Sequence, residues 1–260
     1  MPTAAREARP SIGTRESRDR APSAAERILV TLEACAATEG PLTLKELVSE
    51  TRLPKTTLHR TCWKLVELGL LDHSEDGFSV GMKVFALGSS IPVLNEIRVA
   101  AMPVLLELQR VTNGMSNLAV LHDGKALVID ALYAPQPALP RLVGGALPLH
   151  CTAVGKAIVA CLESDEREKL LGDGPLAPAT WRTIVRPTLL REHLGRVAEE
   201  GIAISDEEFM TGICGVAAAF GVRGRATVAV GYVGAGNRAV VNRVAGPVRD
   251  AAAALQRELA

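Results

Sequence analysis

The chain has 260 residues, of which 48% are hydrophobic, so it is long enough for two folded domains with separate cores. Its 29 basic and 29 acidic residues cancel, which excludes a global electrostatic attraction to nucleic acid and leaves a local patch as the means of binding it. The five cysteines form no CxxC pair and no zinc-ligand spacing with histidine, and no apolar run reaches the roughly 18 residues of a membrane span. We therefore expect a soluble cytoplasmic protein without a metal or other cofactor.

The N-terminal segment differs in composition from the rest of the chain. Residues 1–21 contain arginine, serine and proline with almost no apolar side chains, which predicts a disordered tail. This tail is either a basic arm close to DNA or a segment without a partner. Ser23 can cap a first helix that runs from Ala24 to about Ala37.

Two further helices joined by a tight turn follow Pro41. Thr43 can cap the first of them, and Glu46 three residues later completes a capping box. Pro54 suits the first position of the second helix, where its missing N–H costs nothing. This spacing predicts a helix-turn-helix.

A short β-hairpin is predicted after the second helix. Gly69 can end that helix in the left-handed conformation, and Asp76-Gly77 is a strong signal for a hairpin turn. Residues 22–81 are therefore predicted to form a winged helix-turn-helix domain, and residues 82–111 a helical linker. Two prolines are expected to interrupt this linker: Pro92 and Pro103.

The second helix of the winged domain has a face of cationic and hydroxyl side chains. In a recognition helix the N-terminal residues reach base edges in the major groove, while neighbouring cations bind phosphates. A helical hairpin that only packs, with a solvated basic face, is the alternative. The candidate DNA-binding residues are Thr43, Lys55, Thr56, Thr57, His59, Arg60 and Lys64.

Residues 112–260 mix strands and helices without a regular βαβ repeat. The fold class predicted for this part is α+β, with a mainly antiparallel sheet. The predicted strands cover residues 117–121, 126–130, 202–205, 215–220 and 227–233. The predicted helices end near Cys161, begin at Ser164, span Leu189 to Glu200, and begin at Asn237.

Three segments resemble motifs of the IclR family of bacterial transcriptional regulators. Residues 53–60, LPKTTLHR, are similar to the family's LPKSTVHR, and residues 147–157, LPLHCTAVGKA, are similar to LPLHATAxGKA. Residues 200–208 with the following GxxGVAA resemble RGYAxDDEE followed by GxxCIAA. The resemblance covers residues 24–259 and implies a winged helix, a linker helix and a GAF-like effector domain. It also implies operator DNA as a partner, a small-molecule effector, and homodimers that often pair into tetramers.

By this resemblance the ligand pocket lies beside the second and third segments. The family's pocket cysteine falls on Gly215, and Cys214 lies on the opposite face of the strand. Pocket hydroxyl groups fall on Gly231 and Val233, so we expect a roomier, less polar pocket and a partly apolar effector such as an aromatic acid. The candidate effector-binding residues are Asn117, Arg141, His150, Ala153, Val154, Asp206, Gly215, Gly231 and Val233.

Several of these residues have a structural alternative. His150 could bind an effector carboxylate or be a satisfied structural group, and Arg141 could pair with an anionic effector or be solvated. In the acidic run 206–208, one carboxylate could bind an effector or cap backbone N–H groups. Gly155-Lys156 lacks the rest of a Walker motif and indicates close packing or an exposed lysine.

The function predicted from these features is a ligand-responsive transcriptional regulator that acts as a repressor. The alternative is a small-molecule sensor or enzyme whose N-terminal helical domain binds protein. The chain has no GxSxG elbow. Residues 234–239 match GxGxxA but lack a following parallel strand with an acidic residue. We therefore predict that the protein is not an enzyme.

Overall fold

The computed structural model describes residues 22–38, 40–133, 142–222, 224–236 and 238–260. The predicted tail, 1–21, and Arg141 lie outside the described residues. The chain divides into two compact units, with the boundary between Asn95 and Glu96. None of the helices within the described ranges combines the length and the hydrophobicity that a membrane crossing requires.

The N-terminal unit contains three helices, a two-stranded hairpin and a short fourth helix. Their bounds are α1 Ala24–Ala36, α2 Leu44–Thr51, α3 Lys55–Glu67, β1 Leu71–Ser74, β2 Gly77–Val80 and α4 Met82–Gly88. Capping boxes at Ser23 and Thr43 begin α1 and α2. The predicted cap at Gly69 is confirmed by its left-handed φ of 71°. Apolar residues of α1, α2, α3 and both strands form the core of this unit.

Two local details of the winged domain differ from the prediction. Pro54 is the N-cap of α3 rather than its first helical residue. The hairpin pairs Ser74 with Gly77, so the two residues between them form the turn and Gly77 begins β2. Gly77 has a φ of 133°, and a Cβ there would lie 2.3 Å from the carbonyl oxygen of Leu42. Glycine therefore lets the wing approach the backbone that precedes α2.

The helix α5, Pro92–Thr112, crosses the boundary between the two units. The interruption expected at Pro103 is wrong, because the helix continues through this residue. Proline cannot donate to the carbonyl four residues earlier. That residue, Val99, is 76% exposed, so water can bond to its carbonyl group. Pro92 is the first residue of the helix, a position that proline tolerates.

The C-terminal unit is built on a six-stranded antiparallel sheet, as the sequence predicted. The strand order is β5-β4-β3-β8-β7-β6. The strands are β3 Met115–His122, β4 Lys125–Leu132, β5 Ala146–Leu147, β6 Ala203–Asp206, β7 Ile213–Val222 and β8 Ala226–Ala235. The two-residue strand β5 is absent from the sequence prediction because it is too short to have a hydrophobic pattern.

Helices cover the two faces of this sheet. They are α6 Ala153–Cys161, α7 Ser164–Leu171, α8 Pro187–Glu200 and α9 Arg238–Glu258. Apolar residues of α6 and α8 pack with alternate residues of the central strands in one core. On the other face, the Ser116 hydroxyl donates to the carbonyl of Leu105 in α5, 2.8 Å away. Since neighbouring strand residues point to opposite faces, Asn117 points towards α6.

Candidate DNA-binding helix and effector cavity

The helix α3 has one buried face and one exposed polar face. Leu58, Cys62 and Leu65 are fully buried. The predicted DNA-binding residues of α3 lie on the opposite side, exposed except for the half-buried Thr57: Lys55, Thr56, Thr57, His59, Arg60 and Lys64. The sequence pattern thus correctly separates core from surface, and the surface side is the one that a duplex could reach.

The exposed cations of α3 differ in their partners. Lys64 Nζ lies 2.7 Å from Glu67 Oε2. Glu67 is the first acidic residue after residues 52–66, which contain neither Asp nor Glu. Within the described residues, Lys55 and Arg60 form no hydrogen bond and no ion pair. These two side chains are therefore available to phosphates or base edges, whereas Lys64 would first have to leave Glu67.

Two of the other predicted contacts, Thr43 and His59, already take part in local structure. The Thr43 hydroxyl accepts the N–H of Glu46 and donates to its carboxylate, so it stabilises the start of α2. Trp63 Nε1 donates to His59 Nε2, 3.0 Å away. The Trp63 ring also contacts the rings of His73 and Phe78 in the wing. Trp63 belongs to no motif and was not predicted, yet it connects the polar face of α3 to the wing.

The C-terminal unit contains a small cavity between the sheet and the N-terminus of α6. Its volume is about 60 Å³. Five predicted effector-binding residues line it: Asn117, Ala153, Val154, Gly215 and Val233. The other lining residues were not predicted, and they are Leu142, Leu147, Thr152, Ser205, Phe209, Met210, Ile213 and Tyr232. Most of these are apolar residues of loops and strand ends, which no motif distinguishes from ordinary core.

The glycines at positions 215 and 231 do not themselves enlarge the cavity in this structure. A Cβ at Gly215 would lie 3.2 Å from the Ala153 Cβ, and a Cβ at Gly231 would lie 2.9 Å from Asn117 Oδ1. Neighbouring atoms therefore fill the space that the two glycines leave. Gly231 does not line the cavity itself but pairs with Asn117 across β3 and β8.

Asn117 is the most unusual residue of the cavity wall. It is 1% exposed, and among the described residues neither its Nδ2 nor its Oδ1 has a hydrogen-bond partner. Buried polar groups in proteins are nearly always hydrogen-bonded. An amide that faces a cavity without a protein partner indicates a position for a ligand.

The N-terminus of α6 also faces the cavity. The Thr152 hydroxyl caps this helix by accepting the N–H of Gly155 at 3.2 Å, and it donates to the carbonyl of Pro148 at 2.7 Å. The amides of Ala153 and Val154 belong to the first turn, where the helix itself supplies no acceptor. Such an end attracts acceptor and anionic groups.

Lys156 is fully buried, which corrects the expectation of an exposed lysine. Its Nζ donates to Glu208 Oε1 at 2.6 Å. Burial lowers the pKa of Lys156 and raises that of Glu208, while their mutual attraction opposes both shifts. The close packing predicted at Gly155 is present, since a Cβ there would lie 2.5 Å from the Cα of Leu149.

The loop after β6 is held by several contacts and carries Phe209 and Met210 over the cavity. Besides the Lys156–Glu208 pair, Thr183 Oγ1 donates to the carbonyl of Glu208 at 2.7 Å. The Glu207 carboxylate accepts the N–H of Gly212 at 2.7 Å, which is the backbone-capping role that the sequence left open. The loop is thus attached to α6 and to the segment around Thr183.

The other predicted effector contacts lie away from the cavity wall. Asp206 pairs with Arg182 at 2.8 Å, and Cys214 donates its thiol hydrogen to Asp206. His150 Nε2 lies 2.9 Å from the carbonyl oxygen of Ala177, and burial lowers its pKa. Both residues have structural partners instead of facing the ligand space. Within the described ranges, no group of three His, Cys, Asp or Glu residues could hold a metal ion.

A winged helix-turn-helix unit followed by an α+β unit with a small cavity is typical of two-domain transcriptional regulators. Residues 24–75 match the IclR helix-turn-helix domain, and residues 93–257 match the C-terminal domain of bacterial IclR transcriptional regulators. The chain therefore belongs to the IclR family of transcriptional regulators, which confirms the predicted family, fold class and regulatory function.

Individual relatives agree with this assignment. The chain is 31% identical over 194 residues to the transcriptional repressor IclR of Escherichia coli, covering 72% of this chain and 70% of that protein. It is 31% identical over 243 residues to the glycerol operon regulatory protein of Streptomyces griseus, covering 90% and 95%. Its structure is similar to that of an IclR homologue from Microbacterium hydrocarbonoxydans complexed with 4-hydroxybenzoate, with a TM-score of 0.80, 25% identity and coverage of 91% and 99%.

Proposed function

We propose that this protein is a repressor that binds operator DNA through α3 and its wing and releases or repositions on binding a small organic effector. The observation that carries this proposal is the small cavity with the unpartnered Asn117 in a chain that also has a helix with an exposed basic face. The DNA contacts proposed are those predicted from the sequence, led by Lys55 and Arg60. The protein would work as a homodimer or tetramer in the cytoplasm, without a cofactor or catalytic activity.

The effector proposed is an aromatic acid. The structural relative from Microbacterium hydrocarbonoxydans supports this class, because its complex contains 4-hydroxybenzoate. In the cavity, the amides of Ala153 and Val154 are suited to the carboxylate. Cavities known to accept benzene have a volume of roughly 150 Å³, so the cavity of about 60 Å³ must expand to admit an aromatic ring. Movement of Phe209 and Met210 would provide this space.

Such an expansion would couple binding to a change in the protein. A ligand shifts an equilibrium between two states only when it binds one of them more tightly. An aromatic effector satisfies this condition, since the cavity of about 60 Å³ in the ligand-free form is too small for it. The effector-bound form would therefore be the one in which the side chains of Phe209 and Met210 are displaced.

The test is a fluorescence-anisotropy titration of the protein against the intergenic DNA upstream of its own gene. It should be run at two salt concentrations, with unrelated duplex as competitor, and with and without 4-hydroxybenzoate. We expect saturable binding that resists the competitor, weakens with salt and changes with the added acid. Binding no stronger than to random duplex, with or without the acid, would contradict the proposal.

A further inference from the structure

The side chains that line the cavity offer a ligand more hydrogen-bond acceptors than donors. The hydroxyl of Thr152 donates to the carbonyl of Pro148, and that of Ser205 donates to the carbonyl of Cys151 at 2.8 Å. Each hydroxyl therefore offers only lone pairs to the cavity. Asn117 is the one lining side chain among the described residues with an unused N–H donor, and it also has an unused carbonyl acceptor.

The position of the Asn117 amide is constrained by the sheet. Asn117 pairs with Gly231 on β8, and any larger residue there would place its Cβ 2.9 Å from Asn117 Oδ1. Glycine at position 231 thus leaves the space that the amide occupies. The amide is held at the cavity wall without a protein partner, which costs free energy in the ligand-free protein.

No charged side chain lines the cavity within the described residues. The buried cation of α6, Lys156, is paired with Glu208. A carboxylate placed against Asn117 would face the Oδ1 atom with oxygens that cannot donate. A neutral hydroxyl or carboxamide can donate to Oδ1 and accept from Nδ2, so it fits this part of the wall.

We propose that Asn117 determines effector specificity by recognising a neutral hydroxyl or carboxamide group on the effector, at a point separate from the N-terminus of α6. This inference rests on the proposed function and specifies the chemistry of its ligand. The effector then has two polar groups on an apolar frame: an acceptor for the Ala153 and Val154 amides, and a donor-and-acceptor group for Asn117. A site that hydrogen-bonds such a group rejects an analogue that lacks it, because its own polar atoms are left unpaired.

The experiment compares three para-substituted benzoates of similar size. They are 4-hydroxybenzoate, 4-methylbenzoate, in which a methyl group replaces the hydroxyl, and 4-carbamoylbenzoate. Binding is measured by isothermal titration calorimetry with the full chain, for the wild type and Asn117→Leu. We expect the wild type to prefer the hydroxyl or the carbamoyl compound over the methyl compound by about tenfold. The Asn117→Leu variant should lose or reverse this preference.

Thermal melting of the ligand-free variants gives a second readout that needs no ligand. Because the Asn117 amide is buried without a partner, Asn117→Leu should raise the melting temperature by about 2–8 °C. A residue retained for a structural hydrogen bond would instead lower it on substitution. Asn117→Ala serves as a smaller variant if leucine does not fold, and the exposed Asn95→Leu is the matched control, expected to keep the wild-type ligand preference.

The outcomes separate this inference from the proposed function. Equal binding of the hydroxyl and methyl compounds by the wild type, or an unchanged preference in Asn117→Leu, would overturn the role of Asn117 and leave the aromatic-acid effector standing. If none of the three compounds binds, the aromatic-acid effector is wrong, and the melting temperature decides the inference. A rise in Asn117→Leu would still support a ligand-binding amide, and a fall would overturn it.

Discussion

At the scale of single residues, the pair Lys156–Glu208 places two charged groups in the protein interior. Its two charged groups are buried 2.6 Å apart, and they connect α6 with the loop that carries Phe209. Replacing a buried ion pair as a whole is often tolerated, whereas removing one partner leaves an uncompensated buried charge. The surface pair Lys64–Glu67 has almost the same distance but is well exposed, so it provides a matched comparison.

We predict that Lys156→Met lowers the free energy of unfolding by about 3–5 kcal/mol, because the carboxylate of Glu208 loses its buried partner. The double variant Lys156→Met/Glu208→Leu should recover most of this loss. Lys64→Met should change the free energy of unfolding by less than about 1 kcal/mol. Urea denaturation of the three variants measures these differences, and equal effects of Lys156→Met and Lys64→Met would refute the prediction.

At the scale of elements, α3 contributes one face to the core of the N-terminal unit and presents the other, basic face to solvent. The helical period places Leu58, Cys62 and Leu65 on the buried face. The cationic side chains of α3 therefore lie on the exposed face. Within the described residues Lys55 and Arg60 have no ion pair, but Lys64 is paired with Glu67. Lys55 and Arg60 are therefore more available to DNA than Lys64, and substitutions at the three positions should weaken DNA binding to different extents.

We predict that Lys55→Ala or Arg60→Ala weakens operator binding by about 1–3 kcal/mol, because each removes a contact to a base or phosphate. Lys64→Ala should weaken binding less, since its charge is already partly neutralised by Glu67. Competition anisotropy on the operator gives the affinities, and circular dichroism checks that the helices persist. An operator affinity that none of the three substitutions alters would exclude α3 as the recognition helix.

At the scale of the whole molecule, the two candidate sites belong to different compact units. The polar face of α3 lies before Asn95, and every residue of the effector cavity lies after Glu96. Each unit also has its own core. Binding of DNA and binding of effector should therefore be separable by substitution, and only the response of one to the other requires both units.

We predict that Val233→Phe abolishes the effect of 4-hydroxybenzoate on operator binding, because Val233 is half-buried at the cavity and a larger ring fills it. Operator affinity without the acid should stay at the wild-type value. Lys55→Ala should show the opposite pattern, with normal binding of the acid and weakened operator binding. Anisotropy and calorimetry on both variants test this pair, and a loss of both activities in either variant would argue against independent sites.

The local sequence determined most of the elements of this protein. Ser23 and Thr43 begin helices because their side chains accept the N–H groups of the first turn, and the partner in each case lies three residues away. Gly69 ends α3 for a similarly local reason. The separation of α3 into a buried and a polar face follows from its period alone. One exception was Pro103, whose effect on the helix depends on whether water can reach the carbonyl one turn earlier.

Only the tertiary structure decided the chemistry of the cavity. Lys156 and Glu208 form an ion pair although they are 52 positions apart in the chain. Gly231 leaves space for the Asn117 side chain only because β8 pairs with β3. Asp206 and His150, which suited an effector by residue type, are turned to Arg182 and to the carbonyl of Ala177. The physical reason is one of range: caps, turns and helix faces arise between residues a few positions apart. A buried partner, by contrast, is set by strand order and helix packing, which bring together residues far apart in the chain.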